Sequence, residues 1–415
     1  MQIFNRLLKS QTAKRVATVF FNNFLRQVLS LCITIFVARS YGATGRGEYA
    51  LFSSLVTVIA LICSLGLVNA LVYMMKTGHM ALKQAAMLLF AHSTAAIALI
   101  FSIVAAVEVV ANPSWLEMRY SFWLIGVLFF LYYHGLYLNL MLTSHLLAVG
   151  DTRNHRRQMV AIPLVTLAMI LCGYAVLGEE DFHPVLGLIV GECLTSVLML
   201  LYLMNWRAPV KTPFPLLKDC YSYSLRSYFS GLTGAVLTKM DNLVLGSFAG
   251  VEALGFYASA KSLCQLVQSV PIAFSGFLFG LFVERAGSAG RILVFKSSAA
   301  ILSLSLCLSA PIYVGSSWIL SSVYGSEFTE AADALTILVV AAVAAGASNP
   351  VASFLNANNQ PGASSLLSLT SASLSAALLF ALVPHMSYNG AAYATLIGSI
   401  TLAILRYCYF LRIKT

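Results

Sequence analysis

The chain has 415 residues, of which 59% are hydrophobic and 10% are charged, and its formal net charge is +10. Soluble proteins carry about 25% charged residues, so this composition excludes a water-soluble globule. Apolar runs of about 20 residues recur along the chain, and each can cross a hydrocarbon layer of roughly 30 Å as a helix. An outer-membrane barrel would instead show alternating segments of about ten residues. We therefore expect an all-α polytopic membrane protein.

Twelve transmembrane helices are predicted, with six in each half of the chain. They cover residues 17–38, 49–72, 84–110, 121–148, 158–177, 185–206, 221–248, 255–282, 296–314, 331–356, 363–383 and 388–411. The longest link, 207–220, contains three prolines and is the natural boundary between the halves. We predict an N-terminal six-helix lobe at 1–206 and a C-terminal six-helix lobe at 207–415.

The positions of the basic residues indicate which loops face the cytoplasm. One set of alternate loops, with both termini, holds 17 Lys and Arg residues, whereas the opposite loops hold only Arg39, Arg46 and Arg119. Basic loops stay in the cytoplasm, so we expect both termini to be cytoplasmic. This use of the charge also removes the reason to expect a nucleic-acid partner.

A short motif occurs twice in the chain, with an offset of 208 residues. The first copy has Gly42 and Gly47 followed by Tyr49-Ala50, and the second has Gly250 and Gly255 followed by Tyr257-Ala258. Each copy links one predicted span to the next. Internal repeats of this length are typical of transporters, and an even number of spans per repeat makes the two repeats parallel.

The first copy, from Val37 to Ala50, resembles the first loop of polysaccharide flippases of the multidrug/oligosaccharidyl-lipid/polysaccharide superfamily. Further similar segments follow in order across nearly the whole chain. They are Asp241 to Gly246, Gly255 to Ala258, Tyr324-Gly325 with Phe328, Asn356 to Asn358, and Tyr388 to Ala392.

The resemblance implies two parallel six-helix bundles around a central cavity that opens alternately to each side of the bacterial inner membrane. Its implied cargo is an undecaprenyl-pyrophosphate-linked oligosaccharide, such as an O-antigen repeat unit. The expected partners are this lipid-linked substrate, membrane lipids, a coupling ion (proton or sodium) and a glycan polymerase. No cofactor, metal or nucleic acid is expected.

Charged residues inside spans are candidate functional residues, because each one costs a few kcal/mol unless it has a partner or faces water. Arg26 shares a helix face with Asn22 and Asn23, which predicts an inward polar stripe. It is interpreted either as a contact to pyrophosphate or sugar or as a clamp between helices. Arg226 is interpreted either as a cavity residue or as a side chain that reaches the membrane surface.

Lys239 and Asp241 are two residues apart, so they point to different sides of their helix and do not pair with each other. Lys261 on the next predicted span lies at a similar depth to Asp241. The two residues form either a structural ion pair or part of the substrate or coupling machinery.

Two further sets of residues have open interpretations. Glu192 is either a proton or cation site, since burial disfavours a charged carboxylate, or a carboxyl hydrogen-bonded to a neighbour. Tyr133 and Tyr137 share a helix face near mid-span, where they either stack on sugar rings or pack against other helices.

Three classes of function are compared at this point, namely a flippase for a lipid-linked sugar, a drug exporter of the same superfamily and a membrane enzyme. Basic residues inside the predicted spans outnumber acidic ones, with Arg26, Arg226, Lys239 and Lys261 against Asp241 and Glu192. This excess of positive charge favours a flippase for an anionic lipid-linked sugar over a cation-coupled drug exporter. A lipid II flippase of the superfamily usually has two further helices. A membrane enzyme that polymerises glycans would have a large outer loop, and the chain carries no P-loop or HExxH motif. We therefore expect a transporter and not an enzyme.

Overall fold

The computed structural model describes residues 11–111, 122–204, 217–225, 239–284, 288–358 and 360–412, and every regular element in these ranges is helical. We name the helices α1 to α12 in chain order. They are Gln11–Cys63, Leu67–Lys76, Leu82–Ala111, Phe122–Val149, Thr152–Asp181, Pro184–Leu203, Met240–Phe248, Gly250–Glu284, Ser288–Val314, Ser316–Val323, Ala332–Ala357 and Pro361–Arg412. Residues 217–225 are also helical, and a 3₁₀ helix at Ser326–Ala331 connects α10 to α11.

The described helices confirm an all-α polytopic membrane protein. Eight of them are long and apolar enough to cross a membrane. Two of these eight, α1 and α12, are each divided by a kink, at Gly42 and Ser387, where two predicted spans meet. Helix α8 coincides with the predicted span 255–282, while residues 226–238 of the predicted span 221–248 lie outside the described residues.

One predicted span differs from the structure. The link predicted at 39–48 contains the break in α1 at Gly42 (φ 65°), and the residues on both sides of that glycine are helical. The predicted span 49–72 is interrupted after Cys63 by a tight turn, in which Leu65 and Gly66 have φ values of 46° and 74°. Hydropathy alone does not find this turn, because the residues on both sides of it remain apolar.

The described residues form two compact units. The first unit combines residues up to Phe52 with those of Leu237–Thr415, and the second unit is Ser53–Val236. The part of α1 up to Phe52 therefore groups by contact with the C-terminal part of the chain. The lobes predicted at 1–206 and 207–415 are defined by the sequence repeat instead, and they stay a prediction.

The first unit has a core of small and aromatic side chains. The rings of Phe256 and Phe328 meet edge to face at 5.6 Å, and Tyr324 and Phe328 lie 5.5 Å apart. Arg39 in α1 holds the end of α10, since its Nε donates to the Val323 carbonyl at 2.8 Å and its Nη2 donates to the Ser322 carbonyl. Such bonds satisfy carbonyls that a helix C-terminus leaves without partners.

The second unit is held together by close contacts between α5 and α6. A Cβ added to Gly187 would lie 2.2 Å from Ile170 Cγ1, and one added to Gly191 would lie 1.9 Å from Thr166 Oγ1. Small residues that allow backbones to approach closely are typical of helix packing in lipid. This packing brings the polar residues of α4, α5 and α6 together.

Candidate functional site

Lys239 lies within electrostatic range of four other charged residues of the first unit. Lys239, at the start of α7, interacts electrostatically with Asp241 in α7, Lys261 in α8, and Arg26 and Arg46 in α1. Three of these cations, Arg26, Lys239 and Lys261, were predicted as site residues, and the structure brings them together. We call the five residues the cationic cluster. Its excess of positive charge suits an anionic ligand.

Both oxygens of the Asp241 carboxylate accept hydrogen bonds. Lys261 Nζ donates to its Oδ2, as the ion-pair interpretation predicted, and the Tyr257 hydroxyl donates to the same oxygen at 2.7 Å. The Asn242 backbone N–H donates to Oδ1 at 2.9 Å. Asp241 is buried, whereas a quarter of the Lys261 side chain is exposed. Lys261 can therefore hold the carboxylate and still present positive charge to a ligand.

Arg46 is a member of the cluster that sequence reasoning placed in an outer loop. Arg46 lies in the helical segment of α1 that follows the kink at Gly42, and its side chain is only 4% exposed within the first unit. Its Nη2 donates to the Ala258 carbonyl at 3.2 Å and to Ser262 Oγ at 3.0 Å. The sequence repeat could have indicated Arg46 as a candidate, because this residue directly precedes Gly47, a paired glycine of the motif.

Arg26 and its neighbours differ in burial. Asn22 is completely buried, whereas Asn23 and Arg26 are exposed, and their inward polar stripe stays a prediction. An exposed arginine inside a membrane span must face water or a charged ligand, because lipid solvates it poorly. Arg226 lies outside the described residues.

A second polar site lies in the second unit. Asn139 Nδ2 donates to Glu192 Oε2 at 3.0 Å, and Asn139 Oδ1 accepts from Thr143 Oγ1 and Gln158 Nε2 at 3.0 and 2.9 Å. Glu192, Asn139 and Gln158 are all buried. Gln158 was missed by sequence reasoning, although a glutamine in an apolar span is itself a signal.

Tyr133 and Tyr137 pack against each other in the second unit. Their ring centroids are 5.1 Å apart with nearly parallel planes, and both side chains are at most 1% exposed. Neither ring presents a face to a sugar in this structure, so the packing interpretation describes them better. No group of His, Cys, Asp and Glu within the described ranges could hold a metal ion.

Solved structures share the fold of this chain. A lipid II flippase, MurJ, in an inward closed conformation has a TM-score of 0.75 at 11% identity, over 95% of this chain and 88% of that one. An inward-facing multidrug resistance MATE family transporter of the MOP superfamily has a TM-score of 0.67 at 16% identity, over 92% of this chain and 93% of that one. A point mutant of the Vibrio cholerae MATE transporter VcmN has a TM-score of 0.64 at 13% identity, over 98% of both chains.

Comparison of sequences places the chain in a family. No curated protein matches it. A family described as "Polysaccharide biosynthesis protein" matches residues 36–275, which is more than half of the chain and includes both copies of the repeated motif. The fold of the chain is that of solved multidrug/oligosaccharidyl-lipid/polysaccharide transporters, and the chain belongs to this polysaccharide biosynthesis protein family.

Proposed function

We propose that this protein flips undecaprenyl-pyrophosphate-linked oligosaccharide, such as an O-antigen or other surface polysaccharide repeat unit, to the outer leaflet of the bacterial inner membrane. It works by alternating access, with both termini in the cytoplasm, and supplies a glycan polymerase. It performs no covalent chemistry. The cationic cluster carries this proposal, since it combines four cations, Arg26, Arg46, Lys239 and Lys261, with a single carboxylate, Asp241.

The charge balance of the cluster separates this cargo from the alternatives. A diphosphate carries several negative charges on oxygens that Arg and Lys bind through charge-assisted hydrogen bonds. The usual cationic substrates of a drug exporter would be repelled by the same residues. Lipid II also carries a diphosphate, so the cluster alone does not separate the two flippases. The family match favours a polysaccharide repeat unit.

Glu192 is the residue that we propose for coupling to a proton. It is buried and accepts a hydrogen bond from the neutral amide of Asn139. A buried carboxyl that is hydrogen-bonded to a neutral amide can bind and release a proton during a transport cycle. Glu192→Gln should therefore abolish the dependence of transport on a pH gradient while the protein folds normally. If transport depended on a sodium gradient instead, the coupling ion would be sodium and not a proton.

The proposal is tested with purified protein in proteoliposomes that contain a fluorescent undecaprenyl-pyrophosphate-linked oligosaccharide. Wild type should move the probe between leaflets, and Arg26→Ala should abolish this movement. Arg26→Lys should recover it only in part, because Lys lacks the planar fork that grips two phosphate oxygens. Arg153→Ala, which removes an exposed arginine at the start of α5, is the matched control and should transport normally.

Three outcomes would contradict the proposal. Wild type could fail to move the probe, it could move a cationic dye instead, or Arg26→Ala could transport at the wild-type rate. Membrane abundance and thermal unfolding of each variant separate loss of transport from loss of folding.

A further inference from the structure

The short helix at 217–225 contacts the first half of the chain. It lies where the link between the two predicted six-helix lobes ends, yet it belongs to the compact unit Ser53–Val236. Its partners are the turn between α1 and α2, Tyr73 in α2 and His92 in α3. In the predicted topology this end of the spans faces the cytoplasm. The contact therefore joins the two predicted halves at the side from which the proposed cargo enters.

The turn between α1 and α2 presents backbone carbonyls that need donors. A helix that ends leaves its last carbonyls without partners, and lipid supplies no donors for them. The Ser224 hydroxyl donates to the Leu65 carbonyl, and His92 Nε2 donates to the Cys63 carbonyl at 2.9 Å. Leu65 has a φ of 46°, which costs energy for a residue other than glycine. Ser224 therefore satisfies a strained turn in the opposite half of the chain.

Two aromatic side chains hold the same helix against this turn. Tyr223 stacks on Tyr73, with ring centroids 4.6 Å apart and planes 8° from parallel. The Tyr221 hydroxyl donates to His92 Nδ1 at 3.2 Å, because the second ring nitrogen of a neutral histidine accepts when Nε2 donates. His92 therefore bonds to the turn and to the helix at once.

These contacts can separate without leaving polar groups in lipid. The side chains of Tyr73 and Tyr223 are 45% and 37% exposed, and Lys218 and Asp219 in the same helix are exposed as well. Charged residues of a membrane protein lie in water, so the contact borders the aqueous phase. When the helix at 217–225 moves away, water can take the place of Ser224 on the Leu65 carbonyl.

We propose that the helix at 217–225 is a cytoplasmic latch, which is closed in this structure and opens each time the transporter faces the cytoplasm. The latch consists of Tyr221, Tyr223 and Ser224 on one side and Leu65, Tyr73 and His92 on the other. The proposal rests on the proposed function, in which the two halves move against each other. Each contact is a single hydrogen bond or ring pair, and such contacts are individually weak. This suits a contact that breaks and forms again in every transport cycle.

Cys220 is a native reporter of the latch. Its side chain is completely buried, and burial raises the pKa of its thiol to about 11, so it reacts slowly while the latch is closed. The first test measures how fast a water-soluble maleimide modifies Cys220 in the full-length protein in lipid nanodiscs. Peptide mass mapping distinguishes Cys220 from the other cysteines. Tyr223→Ala removes the ring stack, and Tyr223→Phe is the matched control that keeps it.

Tyr223→Ala should raise the rate at Cys220 by roughly three- to tenfold, the effect of one lost ring contact on the population of the open form. Ser224→Ala should change the rate in the same direction, and Tyr223→Phe should react like wild type. Unfolding midpoints verify that each variant is folded. Equal rates in wild type and both alanine variants would overturn the latch.

A second test closes the latch covalently. In a background with alanine at the native cysteines, Tyr73→Cys and Tyr223→Cys are joined by a short bifunctional methanethiosulfonate reagent. Cross-linking should lower transport of the fluorescent lipid-linked oligosaccharide to below roughly a tenth, because the cycle requires the open form, and a reductant should restore it. Transport that is unchanged by the cross-link would also overturn the latch. If wild type moves no probe, the proposed function fails, while the rates at Cys220 still decide whether the latch exists.

Discussion

Gly47 and Gly255, which occupy equivalent positions in the two copies of the repeated motif, are packed reciprocally. A Cβ added to Gly47 would lie 1.7 Å from the Val251 carbonyl oxygen, and one added to Gly255 would lie 1.9 Å from that of Ala43. Ala43 and Val251 are also equivalent in the repeat. The motif is thus a matched pair of surfaces through which α1 and α8 make backbone contact.

This contact predicts that alanine is not tolerated at either glycine. Because the opposing atoms belong to the backbone, Gly47→Ala and Gly255→Ala should each destabilise the protein by about 1–3 kcal/mol, as overpacking does. Thermal unfolding in detergent measures the effect. Gly362→Ala in α12 is the control, since its Cβ would meet nothing within 4 Å and should leave the midpoint unchanged or slightly raised. Equal midpoints for all three variants would contradict the contact.

The Asp241–Lys261 pair predicts strong coupling between the two positions. Removing either partner strands a charge, at a cost below the roughly 3–5 kcal/mol of a fully buried pair, because Lys261 is a quarter exposed. Asp241→Asn with Lys261→Gln should recover part of the stability that each single change loses. Unfolding midpoints of both singles and the double measure this coupling. Losses that simply add would show that the pair contributes nothing.

Transport by the same variants separates stability from function. If Lys261 also binds the diphosphate, the double variant should fold but transport poorly. If Asp241 carries a coupling proton, Asp241→Asn should uncouple transport whatever residue stands at position 261. Tyr257→Phe, which keeps the ion pair and removes one hydrogen bond to Asp241, should reduce stability less than either single change.

The distribution of basic residues predicts the orientation of the chain. Reporter fusions at 179–182 and 326–330 should be active only outside the cytoplasm, whereas fusions within 207–220 should be active inside. A cytoplasmic signal at either of the first two sites would contradict the predicted topology.

Asp151 predicts a pH dependence of stability outside the membrane spans. It caps the N-terminus of α5, and the hydrogen bond from the Asn154 backbone N–H, at 3.0 Å, lowers the pKa of its carboxyl. Because the pKa of Asp151 is lower in the folded state, the stability that its carboxylate contributes is fully present above its unfolded pKa of about 3.9. This stability is lost as the pH falls through the folded pKa. Unfolding midpoints measured from pH 7 down to pH 3 should show this loss.

Two substitutions check the role of Asp151. Asp151→Ala should cost about 1 kcal/mol at pH 7, because the cap is lost. Asp151→Asn should keep the cap and show a smaller decline in acid than wild type. An identical decline in wild type and Asp151→Asn would contradict the lowered pKa.

Much of the architecture follows from the sequence because lipid imposes simple rules. Helix lengths and apolar composition mark the spans, and the glycine repeat locates the kink at Gly42 and the turn at Gly250. The pairing of Asp241 with Lys261 was also predictable, because both lie at a similar distance from one connection. Burial and the need for a counter-charge make such a pair favourable across neighbouring helices.

The tertiary structure alone decided which side chains share a site. Hydropathy marks residues 39–48 as a polar link between two spans, yet the helical segment after Gly42 buries Arg46 beside Ser262. Hydropathy also cannot distinguish Tyr137, which is buried against Tyr133, from a ring that lines a cavity. Sequence determines which residues a membrane tolerates and where helices bend, because those depend on local composition. Packing between distant helices determines which polar groups meet, because that depends on backbone contacts such as the one between Gly47 and Val251.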